Sequence, residues 1–195
     1  VRKGIGTDSR IGSKFLYSGC GYGGSCFPKD VKALIHTAAK FGYDMRVLNS
    51  VEEVNEKQKN ILFEKFKNYY KGDLKGRKVA VWGLAFKPET DDMREAPALV
   101  LIKSLLNEGC FISVYDPVAM EECKRRIGDV VTYSQNMYDA VIEADAIFHV
   151  TEWKEFRMPS WGVIKKAMKD DPVLIDGRNV FSAADLEGIT YLKIG

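Results

Sequence analysis

The sequence predicts an α/β fold: a Rossmann-like, doubly wound and mostly parallel sheet preceded by a helical segment. Three observations predict it. After residue 74, short apolar runs alternate with helical patterns, which is typical of a parallel sheet with helices on both faces. Before that point, apolar residues recur at helical spacing. A polar, glycine-punctuated stretch at 71–76 separates the two patterns and divides the chain into 1–73 and 74–195.

The first segment is predicted to be a glycine-rich loop followed by two helices. Residues 1–30 are rich in glycine and show little periodicity. A helix is expected from Pro28, which suits a first helical turn, to Gly42, which can end a helix in the left-handed conformation. A second helix is expected over residues 45–70, with a break near Asn49 because the pattern is long for one globular helix.

The second segment is predicted to contain five strands and four helices in alternation. The strands are the short apolar runs 78–82, 111–115, 130–133, 146–150 and 173–175. The helices are expected at 96–107, 121–127, 137–143 and 162–169. This order predicts a sheet whose carboxyl edge carries the connecting loops.

Composition narrows the classes of function. The 195 residues, 46% of them hydrophobic, are enough for a buried core, and a formal net charge of +2 argues against nucleic acid or a membrane as a partner. The start of the chain lacks the apolar core of a signal peptide, so we expect a cytoplasmic protein. None of the four cysteines stands at C-x-x-C spacing, so neither a metal site nor a disulfide framework is predicted.

The glycine-rich segment contains a G-x-G-x-x-G pattern at 19–24 that we do not interpret as a dinucleotide fingerprint. No strong apolar strand precedes it, and no acidic residue follows about twenty positions later. The glycines instead place Cys26 in a turn at the start of a helix, where free N–H groups and nearby Lys29 favour a thiolate. Cys26 is therefore the candidate nucleophile. Asp30, one turn later, either caps the helix or acts on a water near the thiol.

A second candidate region follows the first strand of the α/β segment, at residues 83–95. Lys87 and Arg94 in this loop could meet phosphates, and Phe86 could stack on a base or sugar. The alternative is a solvated loop with two surface cations. Arg178 follows the last predicted strand at the same sheet edge, so two basic loops converge there and favour an anionic ligand.

The histidines and tryptophans are predicted to be structural. His36 lies on a helix and His149 lies inside a strand, where a satisfied structural histidine is the more common case. Trp82, Trp153 and Trp161 are interpreted as packing aromatics.

Several segments resemble the nucleotide-sugar dehydrogenase family, and within it the UDP-glucose 6-dehydrogenase branch. The most specific is the run Gly21-Tyr22-Gly23-Gly24-Ser25-Cys26-Phe27-Pro28-Lys29-Asp30, which is similar to the catalytic segment of that branch. Phe27 favours this branch, since GDP-mannose dehydrogenases usually carry leucine there. The resemblance to the family's UDP-binding domain rests on Val81-Trp82-Gly83-Leu84-Ala85-Phe86-Lys87-Pro88, Asp91-Asp92-Met93-Arg94-Glu95, Val114-Tyr115-Asp116-Pro117 and Asp176-Gly177-Arg178-Asn179.

The resemblance implies a four-electron oxidation in which UDP-glucose, two NAD and water give UDP-glucuronate. Cys26 would hold the sugar C6 as a thiohemiacetal and then as a thioester, and Asp30 would assist the water step. Lys29 and Arg94 match residues that touch NAD. The matches to substrate contacts are Arg10, Phe15, Leu16, Tyr17, Ser18, Gly19, Gly23, Phe86, Lys87 and Arg178.

The resemblance also implies a homo-oligomer, at least a dimer through the helix at 45–70. Arg10 resembles an arginine that reaches the substrate of the neighbouring subunit. Tyr17 departs from the family pattern, since bacterial relatives often carry a polar residue there. The family's N-terminal NAD-binding domain, with its G-x-G-Y-V-G motif, does not precede Val1, so we expect a C-terminal portion that binds UDP-sugar and is inactive alone.

Two other interpretations stay open. One is a different nucleotide-sugar dehydrogenase, of the GDP-mannose type. The other is a non-catalytic nucleotide-sugar binding module in which Cys26 is merely buried.

Overall fold

The computed structural model describes residues 1–13 and 16–194, and its first part is helical. The helices there are α1 (Arg2–Gly6), α2 (Phe27–Lys40) and α3 (Arg46–Tyr69). α2 has Pro28 in its first turn and ends just before Gly42, whose φ of 74° is left-handed, as the sequence predicts. α1 falls where a loop is expected, because its five residues include two glycines and bury no side chain.

α3 is one unbroken helix of 24 residues, so the expected break near Asn49 is wrong. Asn49 and Ser50 each cost a helix only about 0.5 kcal/mol, and the Asn49 N–H keeps its helical bond to the Met45 carbonyl at 2.9 Å. The end of the helix is stabilised further by tertiary packing. Leu62 and Phe66 near its end are buried in the core of the following sheet, and the Phe66 ring centroid lies 5.2 Å from that of Phe148. Packing of this kind stabilises a helix beyond what propensity provides. The division of the chain after residue 73 stays a prediction, and the last turns of α3 share their core with the sheet.

The remaining described residues form a six-stranded sheet in which every pair of neighbouring strands is parallel. Its strands are β1 (Lys78–Trp82), β2 (Phe111–Tyr115), β3 (Thr132–Tyr133), β4 (Ala146–His149), β5 (Val173–Asp176) and β6 (Thr190–Lys193). The order is β3-β2-β1-β4-β5-β6, so the direction of winding reverses between β1 and β4. The doubly wound α/β sheet is confirmed, and its ligand crevice is expected at the carboxyl ends of β1 and β4.

Helices cover both faces of this sheet. They are α4 (Pro97–Asn107), α5 (Met120–Ile127), α6 (Met137–Ala140) and α7 (Trp161–Ala167). Val79 and Val81 of β1 face the core that contains α3 and α4, while Ala80 and Trp82 face the core that contains α6 and α7. Because both faces are buried, the inner strands are continuous apolar runs without polar alternation.

The sequence misses one strand and overestimates two elements. β6 lies at the sheet edge with only partly buried residues, so it lacks the apolar run that marks the inner strands. β3 has two residues instead of the expected four, and α6 ends at Ala140. Glu143, expected to be helical, has a φ of 60°, which a right-handed helix excludes. None of the helices in the described part of the chain has the length and apolarity to cross a membrane.

Candidate functional site

Cys26 is the only exposed one of the four cysteines, all of which the structure describes, and it stands directly before the first residue of α2. Its Sγ lies 3.6 Å from Ser25 Oγ. Burial raises the pKa of the Cys110 and Cys123 thiols to about 11, and it also raises the pKa of Cys20. Three cysteines are therefore inert packing residues, and Cys26 alone is accessible for reaction.

Charged groups surround the start of α2. The guanidinium of Arg94 forks onto Asp92, which raises the pKa of Arg94, and nearby Cys26 adds a smaller electrostatic contribution. Arg94 and Cys26 therefore lie within electrostatic reach of each other. Lys29 and Asp30 are exposed in the first turn of α2. No described side chain caps this helix, so the capping role considered for Asp30 is not observed.

The glycine loop, residues 19–24, lies directly on the connection between β1 and α4. The Gly24 N–H donates to the Arg94 carbonyl at 2.7 Å. A methyl group at Gly24 would lie 2.9 Å from the Phe86 ring, and one at Gly23 would collide with the Glu95 carbonyl oxygen. The glycines therefore allow the loop to approach the β1–α4 connection of this chain closely, and their role toward a ligand stays a prediction.

Arg178 approaches the other end of the glycine loop from the connection after β5. Its Nε donates to the Val150 carbonyl at 2.6 Å, and its Nη2 donates to the Phe86 carbonyl at 3.3 Å. It also forms an ion pair with Glu152 at 3.0 Å. A methyl group at Gly19 would lie 2.8 Å from Arg178 Nη1. The loops after β1, β4 and β5 thus meet at one guanidinium, and the two loops predicted to converge do so.

Two cavities formed by described residues open at this edge. The first, of about 830 Å³, lies between the glycine loop, Phe86, Arg178 and the exposed apolar side of α3. The second, of about 690 Å³, is lined by Ser18, Asn179 and other polar residues. Tyr17 and Arg178 line both, so the two spaces adjoin. Each is of the size that small-molecule sites have.

The predicted substrate contacts before the glycine loop are only partly brought to these cavities. Asn179 Nδ2 donates to Ser18 Oγ at 2.9 Å, which ties the segment to the loop after β5. Tyr17 is 66% exposed, with the Arg2 guanidinium 4.4 Å from its ring centroid. Leu16 is half-buried, and Phe15 lies outside the described residues.

Two of the predicted cationic contacts are solvent-facing. Lys87 is exposed, with its Nζ 5.3 Å from the centroid of the Phe86 ring at the mouth of the first cavity. Arg10 lines neither cavity, and its guanidinium forks onto Asp8 at 2.7 and 3.0 Å. The role of Arg10 toward a neighbouring subunit stays a prediction.

The connection after β1 does not offer a dinucleotide site. In dinucleotide-binding sheets, the backbone N–H groups of this connection face the phosphates. Here the carboxylate of Asp116, which is buried at the end of β2, accepts hydrogen bonds from the N–H groups of Leu84 at 2.7 Å and Ala85 at 3.3 Å. Those donors are already used within the protein, so a dinucleotide would need other donors.

A buried pair, His149 and Asp176, supports the backbone of Arg178. Asp176 Oδ1 lies 2.9 Å from His149 Nδ1 and accepts from the Arg178 N–H at 2.9 Å. The Tyr191 hydroxyl donates to its other oxygen at 2.9 Å. Burial alone would raise the pKa of Asp176, but the hydrogen bond and charge of His149 lower it to about 2. Asp176 is therefore an ionised anchor. His149 is completely buried, but its Nε2 has no hydrogen-bond partner among the described residues, so it is not the fully satisfied histidine that the sequence predicts.

Three residues of α3 belong to this site and are missing from the sequence-based prediction. Asn55 and Gln58 bond the backbone of the glycine loop, and Lys59 packs on Gly21. The available signal is their spacing, which puts three polar side chains on one helical face. A polar face is normally interpreted as solvent-exposed, so the spacing alone does not identify them.

Two family models match the chain. The model for the UDP binding domain of the UDP-glucose/GDP-mannose dehydrogenase family matches residues 80–183. The model for the central domain of the same family matches residues 1–57. The first match spans most of the sheet, and the second spans the glycine loop, Cys26 and the first half of α3.

Curated relatives are similar along the whole chain. The chain is 48% identical over 202 residues to the UDP-glucose 6-dehydrogenase of Pseudomonas aeruginosa, a match that covers 100% of the chain and 44% of that relative. It is 42% identical over 197 residues to the UDP-glucose 6-dehydrogenase of Rhizobium meliloti, covering 100% of the chain and 45% of the relative. The chain thus spans less than half the length of these relatives.

A solved structure is similar as well. The UDP-glucose dehydrogenase from the hyperthermophilic archaeon Pyrobaculum islandicum superimposes with a TM-score of 0.85 at 32% identity. The match covers 98% of this chain and 42% of that one.

Proposed function

The chain belongs to the UDP-glucose/GDP-mannose dehydrogenase family, and from this premise we propose that it forms the nucleophile-bearing, UDP-glucose-binding part of an NAD-dependent UDP-glucose 6-dehydrogenase. One observation carries the proposal. The glycine loop runs from Arg178, which lies against Gly19, to the Phe86 ring, which lies against Gly24 two residues before Cys26 at the start of α2. A ligand along this loop would have an anionic group at a partly buried guanidinium and a reacting carbon near an accessible thiol.

The two adjoining cavities support a nucleotide sugar as that ligand. Arg178 sits where the cavities meet, which suits a diphosphate between two larger groups. Phe86 supplies an aromatic face for a base or sugar, and Lys87 supplies a second cation at the mouth. Ser18 and Asn179 supply polar groups in the second cavity. The remaining predicted contacts, Leu16, Tyr17, Gly19 and Gly23 among them, would wrap the sugar and diphosphate.

The proposed chemistry uses Cys26 as a covalent catalyst. After the first oxidation of C6, the Cys26 thiolate attacks the aldehyde carbon, and the new C–S bond and a proton on oxygen give a thiohemiacetal. Loss of a hydride from C6 of this adduct, together with loss of the hydroxyl proton to water, gives a thioester. Water then attacks the thioester carbon, the C–S bond breaks, and Cys26 leaves as a thiolate. Asp30, exposed one turn further along α2, takes the proton from the attacking water.

NAD, when bound, supplies the oxidising equivalents for both oxidations. Lys29 and Arg94 fit the edge of its site, because they are exposed cations beside Cys26 that suit an anionic diphosphate. The N–H groups after β1 are committed to Asp116, so most contacts to NAD would come from outside these 195 residues. We therefore expect the 195-residue chain to give no NADH absorbance with UDP-glucose and NAD, and turnover would contradict this part of the proposal.

We also propose a homo-oligomer, at least a dimer, assembled through α3. Its first half exposes Val47, Val51 and Val54 at 77%, 38% and 63%, which forms an apolar stripe at helical spacing. The same stripe lines the first cavity, so a second copy packed on it would lie beside the proposed ligand. Sedimentation velocity over a concentration series should show a dimer, and a monomer at every concentration would contradict this assembly. Localisation in the cytoplasm stays a prediction from the sequence.

Calorimetry tests the substrate. Titration of the chain with UDP-glucose should show saturable binding, and Arg178→Lys should weaken it at least about tenfold, because a lysine cannot reproduce the bidentate, planar contacts of arginine. Lys166→Ala, which removes a cation on α7, is the matched control and should leave binding unchanged. Tighter binding of GDP-mannose than of UDP-glucose would favour the other branch of the family.

Alkylation tests the nucleophile. Iodoacetamide should label Cys26 at neutral pH, located by peptide mass spectrometry, and saturating UDP-glucose should slow the labelling. Cys26→Ser should remove the labelled peptide. An inert Cys26 that UDP-glucose does not protect would favour a non-catalytic binding module.

A further inference from the structure

One face of α3 is directed at the glycine loop. Asn55, Gln58 and Lys59 occupy positions i, i+3 and i+4, which lie together on a helix surface. Asn55 and Lys59 are almost completely buried, at 4% and 2% exposure. Buried polar side chains are unfavourable unless they are hydrogen-bonded, so their partners reveal what they do.

Asn55 pairs with the backbone of Tyr22 in both directions. Its Oδ1 accepts from the Tyr22 N–H at 2.8 Å, and its Nδ2 donates to the Tyr22 carbonyl at 3.2 Å. Only a carboxamide has the donor and the acceptor for this pairing. The side chain therefore does for Tyr22 what a neighbouring strand would do in a sheet.

Gln58 holds the other end of the same loop. Its Nε2 donates to the Gly19 carbonyl at 2.7 Å. The Cβ position of Gly19 lies against the Arg178 guanidinium, 2.8 Å from its Nη1. Gly19 is thus held between a helix of the first segment and the cation that the proposed function assigns to the ligand.

Lys59 connects the glycine loop to the β1–α4 connection. A methyl group at Gly21 would lie 2.9 Å from Lys59 Cγ, and Lys59 Nζ pairs with Glu95 at 3.0 Å. Burial alone would lower the pKa of Lys59, but hydrogen bonds with Glu56 and Glu95 raise it. The Glu95 carbonyl lies against the Cβ position of Gly23. The three elements α3, the glycine loop and the β1–α4 connection are therefore joined at successive points.

We propose that Asn55 and Gln58 are positioning residues that hold the glycine loop in register between Arg178 and Cys26. The inference rests on the proposed function and deepens its site. A segment with glycine at 19, 21, 23 and 24 loses much conformational entropy when it is ordered, so it needs bonds to its backbone to stay in place. The two carboxamides provide these bonds before the ligand arrives, which lowers the entropy lost on binding.

The first test measures the loop without ligand. In the 195-residue chain, Asn55→Ala should speed amide hydrogen exchange at Tyr22 at least about tenfold, measured by NMR, because its N–H loses its acceptor. Gly24, further along the loop, should also exchange faster. Asn60→Ala is the matched control, since among the described residues Asn60 Nδ2 bonds only to the Glu56 carbonyl of its own helix, at 2.9 Å.

The second test asks whether the loop register sets affinity. Gln58→Met keeps the side-chain length but has no donor for Gly19, and calorimetry should show about tenfold weaker UDP-glucose binding. Gln58→Glu should not restore affinity, because a carboxylate would face the Gly19 carbonyl. Asn55→Asp keeps the acceptor for Tyr22 and loses the donor, so it should fall between the wild type and Asn55→Ala. A role in packing alone predicts instead that Gln58→Glu binds like the wild type.

The proposed function and the positioning role of Asn55 and Gln58 can be overturned independently. If the wild type does not bind UDP-glucose, the proposed function fails, while the exchange rates of Tyr22 and Gly24 still decide the role of Asn55. If those rates are unchanged in Asn55→Ala and in Asn55→Asp, each folded by circular dichroism, the positioning role is overturned. Unchanged UDP-glucose affinity in Gln58→Met would likewise overturn it for Gln58.

Discussion

Residues 1–58 and residues 74–194 differ in how much of their apolar surface this chain covers. α1 buries no side chain and α2 buries only Pro28, whereas every residue of β4 and β5 is buried. Phe27 and Phe41 are 61% and 86% exposed. The sheet is thus held by its own core, and the first part of the chain presents surface of the kind that docks on other protein surface. The glycine loop, where the two regions meet, leads into the candidate nucleophile Cys26.

The largest test of this comparison uses two positions of α3. Phe66 is fully buried against Phe148, so Phe66→Ala should lower the free energy of unfolding by about 4 kcal/mol. Val54, in the first half of the same helix, is 63% exposed, and Val54→Ala should change it by less than about 0.5 kcal/mol. Urea unfolding at low protein concentration measures both. Equal effects would show that α3 is one uniform element, and a Val54 effect that grows with concentration would report assembly.

Two glycines, one in each region, have obstructed Cβ positions and allow a second test. Gly83, with a φ of 91°, is crowded by Thr151, so Gly83→Ala should destabilise the sheet by about 3 kcal/mol. Gly23→Ala collides with the Glu95 carbonyl oxygen just as closely, but Gly23 lacks the left-handed φ of Gly83, so the expected loss is smaller, about 1.5 kcal/mol. Thermal unfolding measures both variants, and Gly162→Ala, where nothing obstructs a methyl group, is the control. A loss for Gly23→Ala as large as for Gly83→Ala would show that the collision, and not the backbone conformation, sets the cost.

Asp176 makes the stability of the sheet region depend on pH. Its folded pKa of about 2 lies below its ordinary 3.8. A depressed folded pKa means that the carboxylate's stabilisation, about 2 kcal/mol, is complete well above pH 4 and is lost as the pH falls toward 2. Asp176→Asn should therefore be less stable than the wild type by about 2 kcal/mol near pH 7, and the difference should shrink below about pH 4. A difference that does not vary with pH would show that Asp176 acts through shape alone.

The smallest expected effect concerns Lys59, where α3 meets the β1–α4 connection. Lys59→Met removes a buried ammonium from Glu95 but leaves Lys32 beside that carboxylate, so we expect a loss of about 1 kcal/mol. Lys57→Met, which breaks an exposed pair with Glu53 on the same helix, should have almost no effect. Chemical denaturation followed by tryptophan fluorescence compares the two variants. An equal response would place Lys59 among ordinary surface residues.

Much of the fold could be predicted, because inner strands buried on both faces must be apolar runs, and α2 and α4 have proline in their first turn and end close to glycine. β1 and β2 have the bounds that their apolar runs predict. β6 could not be predicted, since an edge strand has no continuous apolar run, and the burial of the last turns of α3 depends on the sheet core around Phe66. The choice of Cys26 as the candidate nucleophile was possible because its glycine context is local; its exposure is compatible with that role, which stays a prediction.

The α/β class, the family resemblance and the choice of Cys26 among four cysteines follow from local patterns, since strand runs, motifs and glycine spacing are local in the chain. Which distant groups meet depends instead on the packing of the folded chain. Gln58 donates to Gly19, Arg178 lies against the same glycine, and Asp116 accepts from the N–H groups after β1. Each of these contacts joins segments separated by tens of residues. Such contacts depend on how α3 packs against the carboxyl edge of the sheet, and no local pattern encodes that packing.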